Sequence, residues 1–403
     1  MNAFHYVLGR REAAEWMINM TTLLLAVIYL AFISLGLPDA LLGSAWPAMR
    51  NDLAAPLSGA GSLALLISAC TVVSSLLSDR LNRRFGTGKI VTVSVIVSAL
   101  SLLGFSQSRS FAVLFLLAVP FGLAAGSIDA ALNNYVALHY ASRHMSWLHC
   151  MWGVGTVVGP QVMGAALAGG MPWQRGYMTV SLIQGCIALV MLLSAPLWKI
   201  HKDAEHAENG GRALSLRETL SIPGAKSVML MFLFYCAAEQ SALLWGSSYL
   251  EGHLGMATDR AASMGSLFCI GITVGRAVSG FVTMKLSDDS MIKLGLGIML
   301  TAAAMMLLPL GELPAACGLV LFGVGCAPIY PCTIHATPER FGAENSQALV
   351  GVQMASAYVG TCLAPPLFGL LAQRLGVSSL PVYLIIPTAG MLLLHKRRRR
   401  KTE

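Results

Sequence analysis

HKDAEHAENGGRALSLRETLS, residues 201–221, is the one long polar stretch in an otherwise apolar chain of 403 residues. Six apolar runs precede it and six follow. Their approximate limits are 21–49, 57–78, 88–108, 111–138, 144–170 and 176–199 before it, and 226–250, 257–286, 290–310, 313–336, 344–373 and 379–395 after it. Each has at least about 17 residues, enough at about 1.5 Å per residue to cross a hydrocarbon core about 30 Å thick. The last run is the marginal one. Because the runs are continuous instead of alternating, a β-barrel is excluded. The reading is an all-α membrane protein of twelve transmembrane helices. It has an N-terminal six-helix bundle (1–200), a cytoplasmic linker (201–225) and a C-terminal six-helix bundle (226–403) that ends in a basic tail.

Composition agrees. Hydrophobic residues make up 56% of the chain and charged residues 11%, against about 25% charged in an average soluble domain. Mean hydropathy is +0.67. Lys and Arg are retained on the cytoplasmic side of short loops. With the N-terminus inside, 21 of the 27 basic residues fall on that side, five fall outside, and Arg276 lies within a span. Both termini are therefore expected in the cytoplasm, in a bacterial inner membrane. The net charge of +8 comes largely from the inner loops and the tail Lys396–Lys401. It suits anionic lipid and needs no nucleic acid. The first twenty residues carry Arg10, Arg11, Glu12 and Glu15 and do not read as a signal peptide. Nine cysteines stand singly, in a spacing that suits neither zinc nor a disulfide framework.

Three acids, Asp39, Asp129 and Glu239, lie inside the apolar runs. A carboxylate at the membrane centre costs about 2.5 to 3.5 kcal/mol, so such residues normally face a wet cavity and serve a purpose. They are the candidate proton-coupling groups. Arg276 is the cation within a span, able to neutralise a carboxylate or to snorkel to the interface. His149 and His335 are candidate proton relays or interface histidines. Helix breakers gather where a central site would form: Gly36 and Pro38 beside Asp39, Pro328 and Pro331 in span 10, Pro365 and Pro366 in span 11. Such interruptions survive only where protein or cavity water satisfies the freed carbonyls. Polyhydroxy solutes need amides, carboxylates and aromatic platforms. The candidate binding residues are Asp129, Asn133, Asn134, Gln161, Gln240 and Gln353, with Trp46, Trp245 and Tyr358; Trp152 and Tyr235 are further aromatics in these spans.

The halves echo one another. Gly61-Ser62-Leu63 returns as Gly265-Ser266-Leu267 and Phe121-Gly122 as Phe322-Gly323, a weak symmetry that marks carriers built as two parallel-repeat bundles around a midplane site. The loop after span 2, Ser75-Leu-Leu-Ser-Asp79-Arg80-Leu-Asn-Arg83-Arg84, resembles the G-x-x-x-D-R-x-G-R-R motif of the major facilitator superfamily, with Ser75 and Asn82 in place of both glycines. That resemblance implies a cytoplasmic latch at Asp79, with Arg80, Arg83 and Arg84 in gating; Arg276, from its place towards the inner part of span 8, is a further candidate to hold the gate. Gly36-Leu-Pro-Asp39, Asp129-Ala-Ala-Leu-Asn133-Asn134 and Tyr235-Cys-Ala-Ala-Glu239-Gln240 together look like the fucose/galactose/glucose:proton symporter branch. The likeness implies that Asp39 carries the proton, that Asp129 is a proton or hydroxyl partner, and that Asn133 and Asn134 are sugar ligands. Here span 4 has Asp where the fucose permease pattern has Glu, and Asn134 where it has Pro.

The function expected is secondary active transport, a proton and a monosaccharide or similar small polar solute moving inward together by alternating access. The coupling ion is a proton, with sodium left open. No cofactor, metal or enzymatic activity is expected, and the partners are a small-molecule substrate and the lipid bilayer, with the protein a monomer. Two alternatives stay open. Gly155-Thr-Val-Val-Gly159-Pro160-Gln-Val-Met-Gly164 resembles a motif of proton-driven drug antiporters, unless its glycines serve helix packing. A membrane sensor without transport is the other, although the tails are short.

Overall fold

A computed structural model describes residues 2–39, 41–56, 59–199, 213–309 and 311–399. Its long elements are helices: α1 (Asn2–Gly36), α2 (Leu41–Asp52), α3 (Gly59–Phe85), α4 (Thr87–Gln107), α5 (Phe111–His139), α6 (Ser142–Ala168) and α7 (Trp173–Leu193). After the linker come α8 (Leu216–Ser221), α9 (Ala225–Leu254), α10 (Thr258–Val282), α11 (Asp288–Leu307), α12 (Glu312–Cys326), α13 (Ile329–His335), α14 (Thr337–Phe341), α15 (Ala343–Leu375) and α16 (Leu380–Arg399). Among the described residues, eleven helices are long and apolar enough to cross a membrane, and Leu267–Val282 is a shorter apolar helix. The final run, expected to be marginal, qualifies over Val377–His395.

The linker is not uniformly irregular. Residues 201–212 lie outside the described residues, but α8 begins within the polar stretch. Ser215 accepts from the Glu218 backbone N–H while the Glu218 carboxylate accepts from the Ser215 backbone N–H, a reciprocal cap that supports even a six-residue helix.

Proline has two different outcomes. The interruption in span 10 is real, because α12 ends at Cys326 and α13 starts after Pro328. Span 1 breaks likewise, with α1 ending at Gly36 and a turn over Leu37–Asp39. The expected interruption of span 11 does not occur: Pro365 and Pro366 lie inside the continuous α15. There the Trp245 Nε1–H donates to the Pro365 carbonyl at 2.9 Å, bringing a side-chain donor to the stretch where proline removes backbone ones.

The chain forms two compact units, which do not follow the sequence halves. Unit 1 holds residues 1–67, 80–132 and 151–213; unit 2 holds 68–79, 133–150 and 214–403. In unit 1, α7 lies along α4, with the Ser181 hydroxyl donating to the Ala99 carbonyl (2.9 Å) and the Phe105 and Tyr177 rings stacked at 5.5 Å. The buried Gln184 Nε2 donates to the Ser34 carbonyl of α1 at 2.5 Å. Beside it α1 meets α6 almost backbone to backbone. A Cβ at Gly36 would overlap the Trp152 carbonyl oxygen, and one at Gly159 the Leu37 carbonyl oxygen. In unit 2 the same device joins α9 to α15, where Gly360 meets the Leu233 carbonyl. Lipid tails give apolar helices no hydrophobic reason to associate, so such close packing replaces that force.

The α1–α6 contact makes a direct prediction. Gly159→Val should destabilise the protein by about 3 kcal/mol, since the obstruction is backbone and cannot swing aside. Gly164→Ala, on the same helix with nothing within 4 Å of the added carbon, should leave stability unchanged. Thermal unfolding in detergent checks both. Equal melting of Gly159→Val and the unmodified chain would contradict the contact.

Candidate functional site

In unit 1 the break in span 1 presents Asp39. Its carboxylate is exposed and accepts a hydrogen bond from the Trp152 indole N–H at 2.7 Å. The turn is thus tied to α6 just where the glycines bring the backbones together. Asp129 is in the same unit on α5 and is 5% exposed. Trp46 is buried with its ring 5.9 Å from Phe111. Gln161 on α6 is exposed.

Unit 2 holds a continuous set of buried polar and aromatic groups. Glu239 on α9 pairs with Arg276 on α10 at 3.2 Å, with exposures of 8% and 4%. Arg276 is therefore a partner of the carboxylate and does not snorkel to an interface. One turn before Glu239, the Tyr235 ring lies 5.5 Å from Tyr330, which also meets Phe232 at 4.9 Å and His149 at 4.8 Å. The Tyr330 hydroxyl donates to the Met354 sulfur at 3.0 Å, and His149 Nε2 lies 3.0 Å from Asn133 Oδ1. The Asn133 amide in turn approaches the Met354 sulfur at 4.0 Å. His149 is thus a buried member of this set and not an interface histidine.

The other expected ligands are dispersed within unit 2. Asn134 Oδ1 accepts from the Ser346 hydroxyl at 2.5 Å, binding α5 to α15. Gln353 is buried and donates to the Thr337 hydroxyl at 2.9 Å. Gln240, Trp245 and Tyr358 are half-buried. Tyr330 and Met354 were not anticipated. The signal for Tyr330 was its place between Pro328 and Pro331, where the helix break turns a side chain towards its neighbours.

The motif expected in a loop lies in the last turns of α3, where Asp79 is buried and accepts from the Leu214 backbone N–H at 3.0 Å, so the end of the linker is one of its partners. Arg80 and Arg84 are exposed and Arg83 is half-buried, with the Arg84 guanidinium 5.3 Å above the Phe85 ring. Ser75 stands at the first glycine position, yet the chains still approach closely. The glycine is on the other side: a Cβ at Gly351 of α15 would overlap the Ser75 carbonyl oxygen. Alongside, the Gln347 amide donates to the Ser78 hydroxyl at 3.1 Å.

Eleven membrane-length apolar helices among the described residues, with a buried guanidinium–carboxylate pair in unit 2 and a broken helix bearing an exposed acid in unit 1, are features of polytopic membrane transporters. The chain belongs to the Major Facilitator Superfamily, whose family model matches residues 28–365. It is 26% identical to the uncharacterized transporter y4wD of Sinorhizobium fredii over 81% of this chain and 85% of that one. It is 27% identical to the membrane sensor protein UhpC of Escherichia coli over 72% and 71%. The fold is similar to that of the E. coli fucose:proton symporter FucP in its outward conformation, with a TM-score of 0.74, 12% identity, and 93% and 98% of the two chains covered.

Removing one member of a buried ion pair leaves the other charge uncompensated, at a cost of about 3 to 5 kcal/mol. Glu239→Gln and Arg276→Met should each lower the unfolding temperature markedly, and the double variant should recover most of the loss. A double-mutant cycle by thermal unfolding reads this coupling. Additive losses would show that the pair contributes nothing as a pair.

Proposed function

We propose that the protein is a secondary active carrier that moves a proton and a monosaccharide or similar small polar solute inward together by alternating access. The contrast between Asp39 and Glu239 carries this reading. Asp39 is accessible, in an unwound segment, with a neutral indole N–H as its hydrogen-bond donor. Glu239 is buried against a guanidinium. A carboxylate with a neutral donor gains and loses a proton without stranding an opposite charge in an apolar interior; one held by arginine does not. Asp39 is therefore the proton carrier, and Glu239 with Arg276 is a fixed charged element of unit 2. Asp129, buried in the same unit as Asp39, is the proton or hydroxyl partner. A proton crossing about 100 mV releases about 2.3 kcal/mol, enough to concentrate a neutral solute more than tenfold.

The solute class is supported by amides at Asn133, Gln240 and Gln353 and by aromatics at Tyr235, Trp245 and Tyr358, groups suited to hydroxyls above apolar C–H faces. Two of the three glycines behind the export alternative, Gly155 and Gly159, have a packing role in the α1–α6 contact, which favours uptake; Gly164 has no such role. Similarity to UhpC supports a second reading, a sensor that binds solute without moving it.

One assay separates these readings. In proteoliposomes without an imposed gradient, a panel of monosaccharides and drugs is added while external pH is recorded. Alkalinisation on adding a sugar is the expected result; acidification on adding a drug means antiport, and binding with no pH change means a sensor. Asp39→Asn should abolish accumulation while retaining exchange, and Asp129→Asn should weaken both binding and transport. Full gradient-driven accumulation by Asp39→Asn would remove its proton role.

A further inference from the structure

The segment joining α5 to α6 is fastened to helices from the second half of the sequence, all within unit 2. His335, the last residue of α13, lies between two oxygens. Its Nε2 is 3.0 Å from the Tyr140 carbonyl oxygen and its Nδ1 is 2.6 Å from Asp288 Oδ2. The other Asp288 oxygen accepts from the Ser142 hydroxyl. A carbonyl only accepts, so Nε2 must carry a hydrogen. A bare Nδ1 lone pair would then face a carboxylate oxygen, which is repulsive at this distance unless a proton lies between them. The geometry thus needs one proton more than a neutral imidazole and a carboxylate supply.

The surrounding charges belong to neighbouring elements. Asp289 is met by Lys293 at 2.5 Å, His395 of α16 at 2.8 Å and Arg340 of α14 at 3.8 Å. Glu339 acts on His335 electrostatically, and the Cys332 sulfur lies 3.9 Å from the Ser142 hydroxyl. The Ser287 hydroxyl caps α11, placing Asp288 in its first turn, where the helix dipole favours a negative charge.

We propose that His335 and Asp288 form a proton-operated latch on the cytoplasmic side. With its extra proton it holds the Tyr140–Ser142 segment against α11 and α13; without it, the segment is released. The sidedness follows the basic-residue count, and the consequence for transport rests on the uptake reading above. A carrier that imports protons acidifies the cytoplasm, and the latch then stays closed and slows opening to that side.

Hydrogen–deuterium exchange on the full-length protein in nanodiscs, with no solute added, tests the latch. Exchange of peptides spanning residues 139–146 is followed from about pH 6 to pH 8.5 and divided by the intrinsic rate at each pH. Because the protonated form makes the contact, protection should be full at low pH and fall about tenfold per pH unit above the midpoint, as one proton requires. His335→Gln and Asp288→Asn should show low, flat protection, while His144→Gln and His395→Gln keep the normal slope. A flat profile in the unmodified protein, an unchanged slope in His335→Gln, or loss of the slope in His395→Gln would overturn the proposal. Should both latch variants fail to fold, the unmodified profile and the two control histidines still decide. An intact slope without sugar uptake would overturn only the uptake reading.

Discussion

A peptide group in hydrocarbon has no water to bond, and this constraint governs where the chain can depart from a helix. Most of the chain obeys by staying helical across the membrane. Departures keep main-chain bonds of their own: Leu37 and Asp39 donate to the Ile33 and Gly36 carbonyls in the first break, and Ala327 and Cys332 donate to the Gly323 and Pro328 carbonyls around the second. Where the backbone stays helical through proline, as in α15, an indole N–H reaches the Pro365 carbonyl. Polar and aromatic side chains nevertheless lie beside both breaks, Trp152 at Asp39 and Tyr330 at Met354.

Charge follows a related rule. Desolvating a single ion is costly, and the chain meets the cost differently at each acid. Glu239 is neutralised by Arg276; Asp39 is exposed and takes a neutral indole donor; Asp288 and Asp289 collect histidine, lysine and arginine at a helix start. These local solutions leave Glu239 against a guanidinium and Asp39 with a neutral donor.

Much of the architecture was legible because hydrophobic runs and polar gaps are one-dimensional signals. The run lengths marked eleven membrane-length helices among the described residues, with the eighth run appearing as the shorter Leu267–Val282, whereas the two compact units do not divide at the stretch 201–221 alone. Pro328 and Pro365 looked alike in sequence, yet only the first interrupts a helix, and α15 runs on through Pro365 and Pro366. The site was legible in its residue types more than in its pairings. Asp39, Glu239 and Arg276 stood out as charges in apolar runs, but sequence left open whether Arg276 met an acid or the interface. Asn134 was an attractive ligand, and its carbonyl accepts from Ser346, a pairing that no local pattern encodes. His335 likewise read as an ambiguous helix-end histidine until Tyr140 and Asp288 were seen on either side of it.

The meeting of Ser75 with Gly351 bears on how such families are recognised. A consensus written along one segment records half of a contact, whereas selection acts on the gap between two surfaces. Here the room for close approach is supplied by Gly351 of α15, so Ser75 at the motif's glycine position does not hold the segments apart. Reading the two segments jointly shows a fit where the one-sided pattern shows a departure.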